Sequence, residues 1–155
     1  MPDLEFVTLV TRPFAFASKS CAPSQLEDAL TSSFEKLYHT LSSNMVVPAG
    51  LPVVHYREIG EQKISFDAGF PIREDQFRIL RGSGLGLGAT AAGEAVKVAN
   101  RGSGEQLHLM HARMLQAIQG GGLKAAGDLW EFYLDPPVSV GENVTEAVWP
   151  LRDSA

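Results

Sequence analysis

The feature that most limits how this chain can fold is a repeat of its own pattern. Gly50-Leu51-Pro52-Val53-Val54-His55-Tyr56-Arg57 lies over Gly127-Asp128-Leu129-Trp130-Glu131-Phe132-Tyr133-Leu134, glycine on glycine and Tyr56 on Tyr133. Asp67-Ala68-Gly69-Phe70-Pro71-Ile72 lies over Glu146-Ala147-Val148-Trp149-Pro150-Leu151, with acid, alanine, aromatic, proline and aliphatic in the same places. The offsets are 77 and 79 residues, so the copies differ by two residues in one turn. A repeated unit that cannot bury its apolar face alone shares one core with its copy. The 155 residues are therefore read as one domain, with pseudo-repeats 1–80 and 93–155 and a glycine-rich linker 81–92.

Each half reads strand, helix, strand, strand. In the first, residues 4–18 are a strand, or two pieces bent at Pro13, since proline fits only an edge or a bend. A helix opens at Pro23-Ser24, with Ser24 as N-cap and Glu27 completing a capping box. Leu26, Leu30, Phe34, Leu37 and Leu41 recur at helical spacing, and the helix ends near Ser42-Ser43-Asn44. Val53 to Arg57 and Ile64 to Ile72 alternate as strands, and Phe77 to Leu80 reads as a short extension. In the second half, Ala95 to Arg101 is a strand and Glu105 to Gln119 a helix striped by Leu107, Met110, Met114 and Ile118. Gly120-Gly121-Gly122 stops that helix. Residues 129–134 and 144–151 supply the last strands, separated by a Pro136-Pro137 turn. The expected fold is α+β: tandem duplicated βαββ units of SHS2-like type, two antiparallel sheets with helices on one side, and a ligand groove between the halves.

Within strand 129–134, alternation puts Trp130, Phe132 and Leu134 on one face and Leu129, Glu131 and Tyr133 on the other. Glu131 is thus a carboxylate among apolar neighbours. Burying its charge is costly unless it is paired, hydrogen-bonded or open to a wet pocket. Its counterpart in the first half is Val54, whereas the neighbouring tyrosine is present in both halves. The glutamate breaks the internal symmetry where the halves meet.

Composition narrows the function classes. A net charge of −5, with 13 Lys and Arg scattered along the chain, argues against a surface built for phosphates. One cysteine, Cys21, excludes an intrachain disulfide and fits a reducing compartment. The N-terminus has no secretory pattern, and no apolar run reaches the roughly 18 residues that span a bilayer. The expectation is cytoplasmic, with no membrane association. The sequon Asn143-Val144-Thr145 carries no weight without secretion.

Other motifs are weaker. Gly84-Leu85-Gly86-Leu87-Gly88-Ala89 matches a dinucleotide fingerprint, but no helix is expected to follow it, and it reads as linker. His108 and His111 lack a third ligand at suitable spacing, so no metal is expected, and no cofactor motif stands out. Cys21 precedes the first helix and is read as structural. Asp67 and Glu146 read as exposed strand acids, and Phe70 and Trp149 as packing under the helices.

The two βαββ halves, the helix start after a Gly-x-Gly turn, the Trp130-Glu131-Phe132-Tyr133 strand and the closing Thr145-Glu146 to Pro150-Leu151 resemble the GyrI-like small-molecule-binding family. This is the effector-binding domain of AraC-type and MerR-type regulators, which also occurs alone. The resemblance implies a pocket between the halves lined by Glu131, Tyr133, Tyr56, Val148 and Phe16, with Glu131 facing cationic, aromatic ligands. Gly102-Ser103-Gly104 lacks the tyrosine that family members often carry before the second helix, and Val148 stands where a tyrosine is common. Both changes imply a roomier or less aromatic pocket.

The expected function is binding of an amphipathic, aromatic molecule, cationic in one version, for sensing or sequestration. Because the first strand starts at residue 4, no DNA-binding helix pair is expected and no direct nucleic-acid binding. The family also implies two alternatives. One is a small hydrolase of reactive cyclopropane-type natural products, with Glu131 activating water and Tyr56 or Tyr133 donating a proton. The other is an inhibitor or protector with a protein partner.

Overall fold

The computed structural model describes residues 4–100, 104–125, 128–134 and 145–151. Strands β1 (Glu5–Leu9) and β2 (Pro13–Cys21) lead through a 3₁₀ turn (Pro23–Gln25) into helix α1 (Leu26–Ser43), then β3 (Val53–Ile59) and β4 (Ile64–Pro71). A short helix α2 (Glu74–Phe77) and a 3₁₀ turn (Arg78–Leu80) connect to β5 (Gly86–Ala89) and β6 (Gly93–Asn100). Helix α3 (Gly104–Gly120), β7 (Leu129–Tyr133) and β8 (Thr145–Pro150) complete the chain. The fold is α+β, with one antiparallel sheet of eight strands in the order β1-β6-β8-β7-β3-β4-β2-β5.

That order reads the same from either end when each strand is exchanged for the one four places on in the chain. The two halves are therefore related by a pseudo-twofold axis between β3 and β7. They join edge to edge into one sheet rather than forming the two sheets expected. In the β3–β7 register, Val54 lies opposite Glu131. These residues are also counterparts in the repeat, so the axis runs through this one pair.

The duplication is also swapped at its rims. β1 pairs with β6 of the second half, and β5 pairs with β2 of the first. Residues 4–18 thus form two strands on opposite sides of the sheet, broken at Val10 to Arg12. The glycine run expected to be linker contains β5. Gly86 within it is held to glycine by a ring: a Cβ there would lie 2.3 Å from Phe16. Gly69 plays the same part on β4, where a Cβ would lie 2.4 Å from the Ala15 carbonyl oxygen and 2.7 Å from the Phe14 ring.

Two local expectations change. Phe77 to Leu80 is helical rather than extended. The Ser24–Glu27 capping box does not form, because Ser24 sits inside the 3₁₀ turn and α1 starts after Gln25 without a side-chain cap. The helical stripe itself is as expected: Leu26, Leu30, Phe34, Leu37 and Leu41 are buried, joined by Ala29 and Ser33.

The sheet has a core on each face. α1 and α3 cover the first, where Phe34, Leu37, Leu41, Met114 and Ile118 pack on Val54, Tyr56, Phe66, Ala68, Leu129, Tyr133, Ala147 and Trp149. On the second, Phe14, Val53, Ala95, Trp130 and Val148 are buried against Val7, Leu9, Phe16 and Phe132. No helix residue belongs to this second cluster among the described residues. Both Phe70 and Trp149 lie on the helix side, as expected. Gly127, Pro136-Pro137, Asn143-Val144, Gly102-Ser103 and the His108 side chain lie outside the described residues.

Candidate functional site

Glu131 sits at the centre of the sheet, on the helix-covered face, 7% exposed. Strand alternation puts Tyr133 on the same face of β7, and the β3 register brings Tyr56 there from the other half. The Tyr56 hydroxyl donates to Glu131 Oε1 at 2.9 Å. The Thr145 hydroxyl, opposite Tyr133 on β8, donates to Oε2 at 2.9 Å. Each carboxylate oxygen thus accepts a hydroxyl from a different strand, which fixes the plane of the group. Tyr133 adds its ring, packed edge-on to Phe34 of α1 with centroids 5.6 Å apart. Phe34 in turn meets Phe70 at 5.7 Å.

The electrostatics agree with this geometry. Burial, and then the Glu131 charge, raise the Tyr56 pKa well above the ordinary phenol value; the charge interaction with the Tyr133 hydroxyl, the hydrogen bond to Glu131 and Cys21 add to the effect. Burial raises Tyr133 as well, helped by Glu131 and Glu27. Both phenols therefore remain neutral beside the carboxylate, and Tyr56 donates to it. Cys21 packs, partly buried, against the same core, and burial raises its thiol pKa, offset in part by Lys19.

The expected ligand set divides between the faces. Glu131, Tyr56 and Tyr133 come together. Val148 and Phe16 do not join them: Val148 lies opposite Trp130 on the neighbouring strand and follows the indole to the other face, where Phe16 also packs. A second group of polar residues, not anticipated from sequence, occupies that face. Asp67 is buried rather than exposed. Its Oδ1 accepts the Ser18 hydroxyl at 2.6 Å and lies 3.1 Å from Arg57 Nε. His55 lies flat on Trp130, centroids 4.3 Å apart and planes 7° apart, with Nε2 2.8 Å from Asp128 Oδ2 and Nδ1 3.5 Å from Asp67 Oδ2. Glu146, the counterpart of Asp67, pairs instead with Lys97 at 2.8 Å.

Thr145 was also missed as a site residue. A signal for it existed, because its counterpart at the 79-residue offset is Phe66, a second place where the second half is polar and the first apolar. Among the described residues no group of three or more His, Cys, Asp or Glu is arranged to hold a metal. Nor is any described helix long and apolar enough to cross a membrane.

No protein-family model and no curated protein sequence matches the chain. Solved structures do share its fold. The EcmrR C-terminal domain superposes with a TM-score of 0.67 at 17% identity, over 98% of this chain and 98% of that one. SAV2435 bound to tetraphenylphosphonium does so with a TM-score of 0.61 at 11% identity, over 97% and 94%. A hydrolase from Listeria innocua does so with a TM-score of 0.62 at 15% identity, over 97% and 92%. At these identities the likeness is one of fold.

Proposed function

We propose that this chain is a GyrI-like small-molecule-binding domain, and that an amphipathic aromatic cation is held between the sheet and the helices with its charge toward Glu131. The observation that carries this reading is the position of Glu131: a carboxylate 7% exposed, on the pseudo-twofold axis, fixed by Tyr56 and Thr145 and flanked by aromatic rings. A carboxylate oriented in a low-dielectric setting attracts a cation far more strongly than one in water. The faces of Tyr56 and Tyr133 each add cation–π attraction of about 0.5–2 kcal/mol. The shared fold with SAV2435 bound to tetraphenylphosphonium and with the EcmrR C-terminal domain supports this reading. A role in sensing or sequestration follows.

Calorimetric titration with tetraphenylphosphonium tests it. Wild type is expected to bind, and Glu131→Gln, which keeps the shape and removes the charge, to bind at least tenfold more weakly. Neutral triphenylphosphine oxide is expected to discriminate little between the two. Equal affinity of both proteins for the cation would remove Glu131 from the site.

One observation favours a second reading: the hydroxyl of Tyr56 lies on the carboxylate, and a Listeria innocua hydrolase shares the fold. In that reading Glu131 takes a proton from the water that adds to a ring carbon; the cyclopropane C–C bond breaks, its electron pair passes to a conjugated carbonyl oxygen, and Tyr56 donates a proton to that developing oxyanion. Multiple turnovers of an electrophilic cyclopropane substrate that vanish in Glu131→Gln would establish hydrolysis over binding.

A further inference from the structure

On β7, Trp130 and Glu131 point to opposite faces, so the group around Trp130 is separate from the Glu131 site. The environment of the His55 ring there is that of a bound ligand. Its plane rests on the indole 7° from parallel. One nitrogen meets Asp128 at 2.8 Å and the other faces Asp67 at 3.5 Å. An aromatic platform with a carboxylate at each edge is the chemistry that recognises a flat nitrogen cation, by stacking, cation–π attraction and charge-assisted hydrogen bonds. The site is also built in advance of its occupant. Trp130 is 7% exposed and held by Phe14 and Phe132, and Asp67 is held by Ser18 from β2 and Arg57 from β3.

We propose that Trp130, Asp67 and Asp128 form a second recognition site, for planar nitrogen-heteroaromatic cations such as amino-benzimidazoles, and that His55 fills it as a tethered stand-in. Such a ligand displaces the imidazole. The exchange needs no unfolding, because the β3 ladder is made by backbone groups and the His55 side chain is 20% exposed. Rotation about its side-chain bonds carries the ring to solvent. Asp67 keeps Ser18 and Arg57 throughout, and Asp128, with a side chain 45% exposed, stays hydrated until the ligand arrives. The stand-in makes wild type the weaker binder.

The two tryptophans lie on opposite faces, so Trp149→Phe leaves Trp130 as the reporter. In that background, titration with 2-aminobenzimidazole is expected to give a saturable change in Trp130 fluorescence. Asp128→Asn should weaken it at least tenfold and Glu131→Gln should leave it within twofold. His55→Ala should bind at least tenfold more tightly and also accept free imidazole. Three results would overturn the proposal: no saturable change with His55 present, binding confined to His55→Ala, or an affinity that follows Glu131 rather than Asp128. Should His55→Ala fail to fold, the comparison of wild type with Asp128→Asn decides alone.

Discussion

The two faces of the central strand pair solve the same problem in opposite ways. Both β3 and β7 carry charge into the middle of an eight-stranded sheet. On the helix side each oxygen of the Glu131 carboxylate takes a hydroxyl from a different strand. On the other side the acids meet basic groups directly: Asp67 has Arg57, and His55 stands between Asp67 and Asp128. Hydroxyl dipoles orient the carboxylate, whereas the guanidinium of Arg57 meets Asp67 with a full opposite charge. The first arrangement suits an incoming cation. The second is filled already, by one of the protein's own rings.

The largest expected effect tests how the helix-free face is assembled. Phe14 reaches Trp130 by crossing over Gly69, and the missing Cβ is what allows it. Gly69→Ala should lower stability by about 3 kcal/mol, the upper end of ordinary overpacking, because part of the clash is with backbone that cannot move aside. Denaturant unfolding measures it. Retained stability would mean that the Phe14–Trp130 contact is dispensable, and the face a looser surface than described.

The helix side should respond next. Thr145→Val keeps the shape and removes one donor from a buried carboxylate, and Tyr56→Phe removes the other named one. Each should cost about 1–3 kcal/mol of stability, the range for leaving a buried polar group unsatisfied. Both should also weaken tetraphenylphosphonium binding, since the carboxylate loses its orientation. Stability lost without any change in affinity would confine these hydroxyls to a structural role.

This contrast was only half legible in the sequence. Alternation along 129–134 put Glu131 and Tyr133 together, and the repeat added Tyr56, because both rules act within a strand or between copies of one. Neither rule says which strands are neighbours. The pairing of β1 with β6 and β5 with β2 arises from rim strands exchanged between the halves, which no local period encodes. The same gap hid the His55 group. Its members come from β3, β4 and the entry to β7, and only the register brings them into contact. Val148 lies apart from Glu131 for the matching reason: the family pattern compares positions along the chain, while the face is set by the cross-strand partner Trp130. Gly86 reads as linker because alternation counts side chains, and here the Phe16 ring takes the space a side chain would fill; Gly82 and Gly84 stand in open space and serve instead at positive φ.

Alkaline pH separates the faces without mutation. The helix side holds two phenols whose pKa values are raised in the folded protein, first by burial and then by Glu131. An unfolded tyrosine ionises near pH ~10. The stability these groups contribute is therefore complete below that pH and declines as pH climbs above it, because the unfolded chain releases protons that the folded one retains. The unfolding midpoint should fall between pH ~8 and ~11, and less steeply in Tyr56→Phe and Tyr133→Phe. The phenolate absorbance of these two residues should develop only as the chain unfolds. Early ionisation of either would mean that the Glu131 environment is wetter than its 7% exposure implies.

The smallest effect compares two acids at equivalent places in the repeat, both on the face opposite α1 and α3. Asp67 is held in a side-chain environment 9% exposed, by Arg57 and Ser18; Glu146 is 26% exposed and pairs with Lys97. The hydrogen bond to Glu146 raises the Lys97 pKa, yet that lysine lies near the surface, where water and salt screen the pair. Glu146→Gln should therefore change stability by less than about 1 kcal/mol, as exposed ion pairs do. Asp67→Asn should cost roughly 2 kcal/mol, because a buried network loses a charge that hydroxyl and guanidinium were placed to meet. A double-mutant cycle between Asp67 and Arg57 gives the coupling directly. If it proves as small as the coupling of Glu146 with Lys97, the charges on this face are ordinary surface pairs, and the contrast between the faces rests on Glu131 alone.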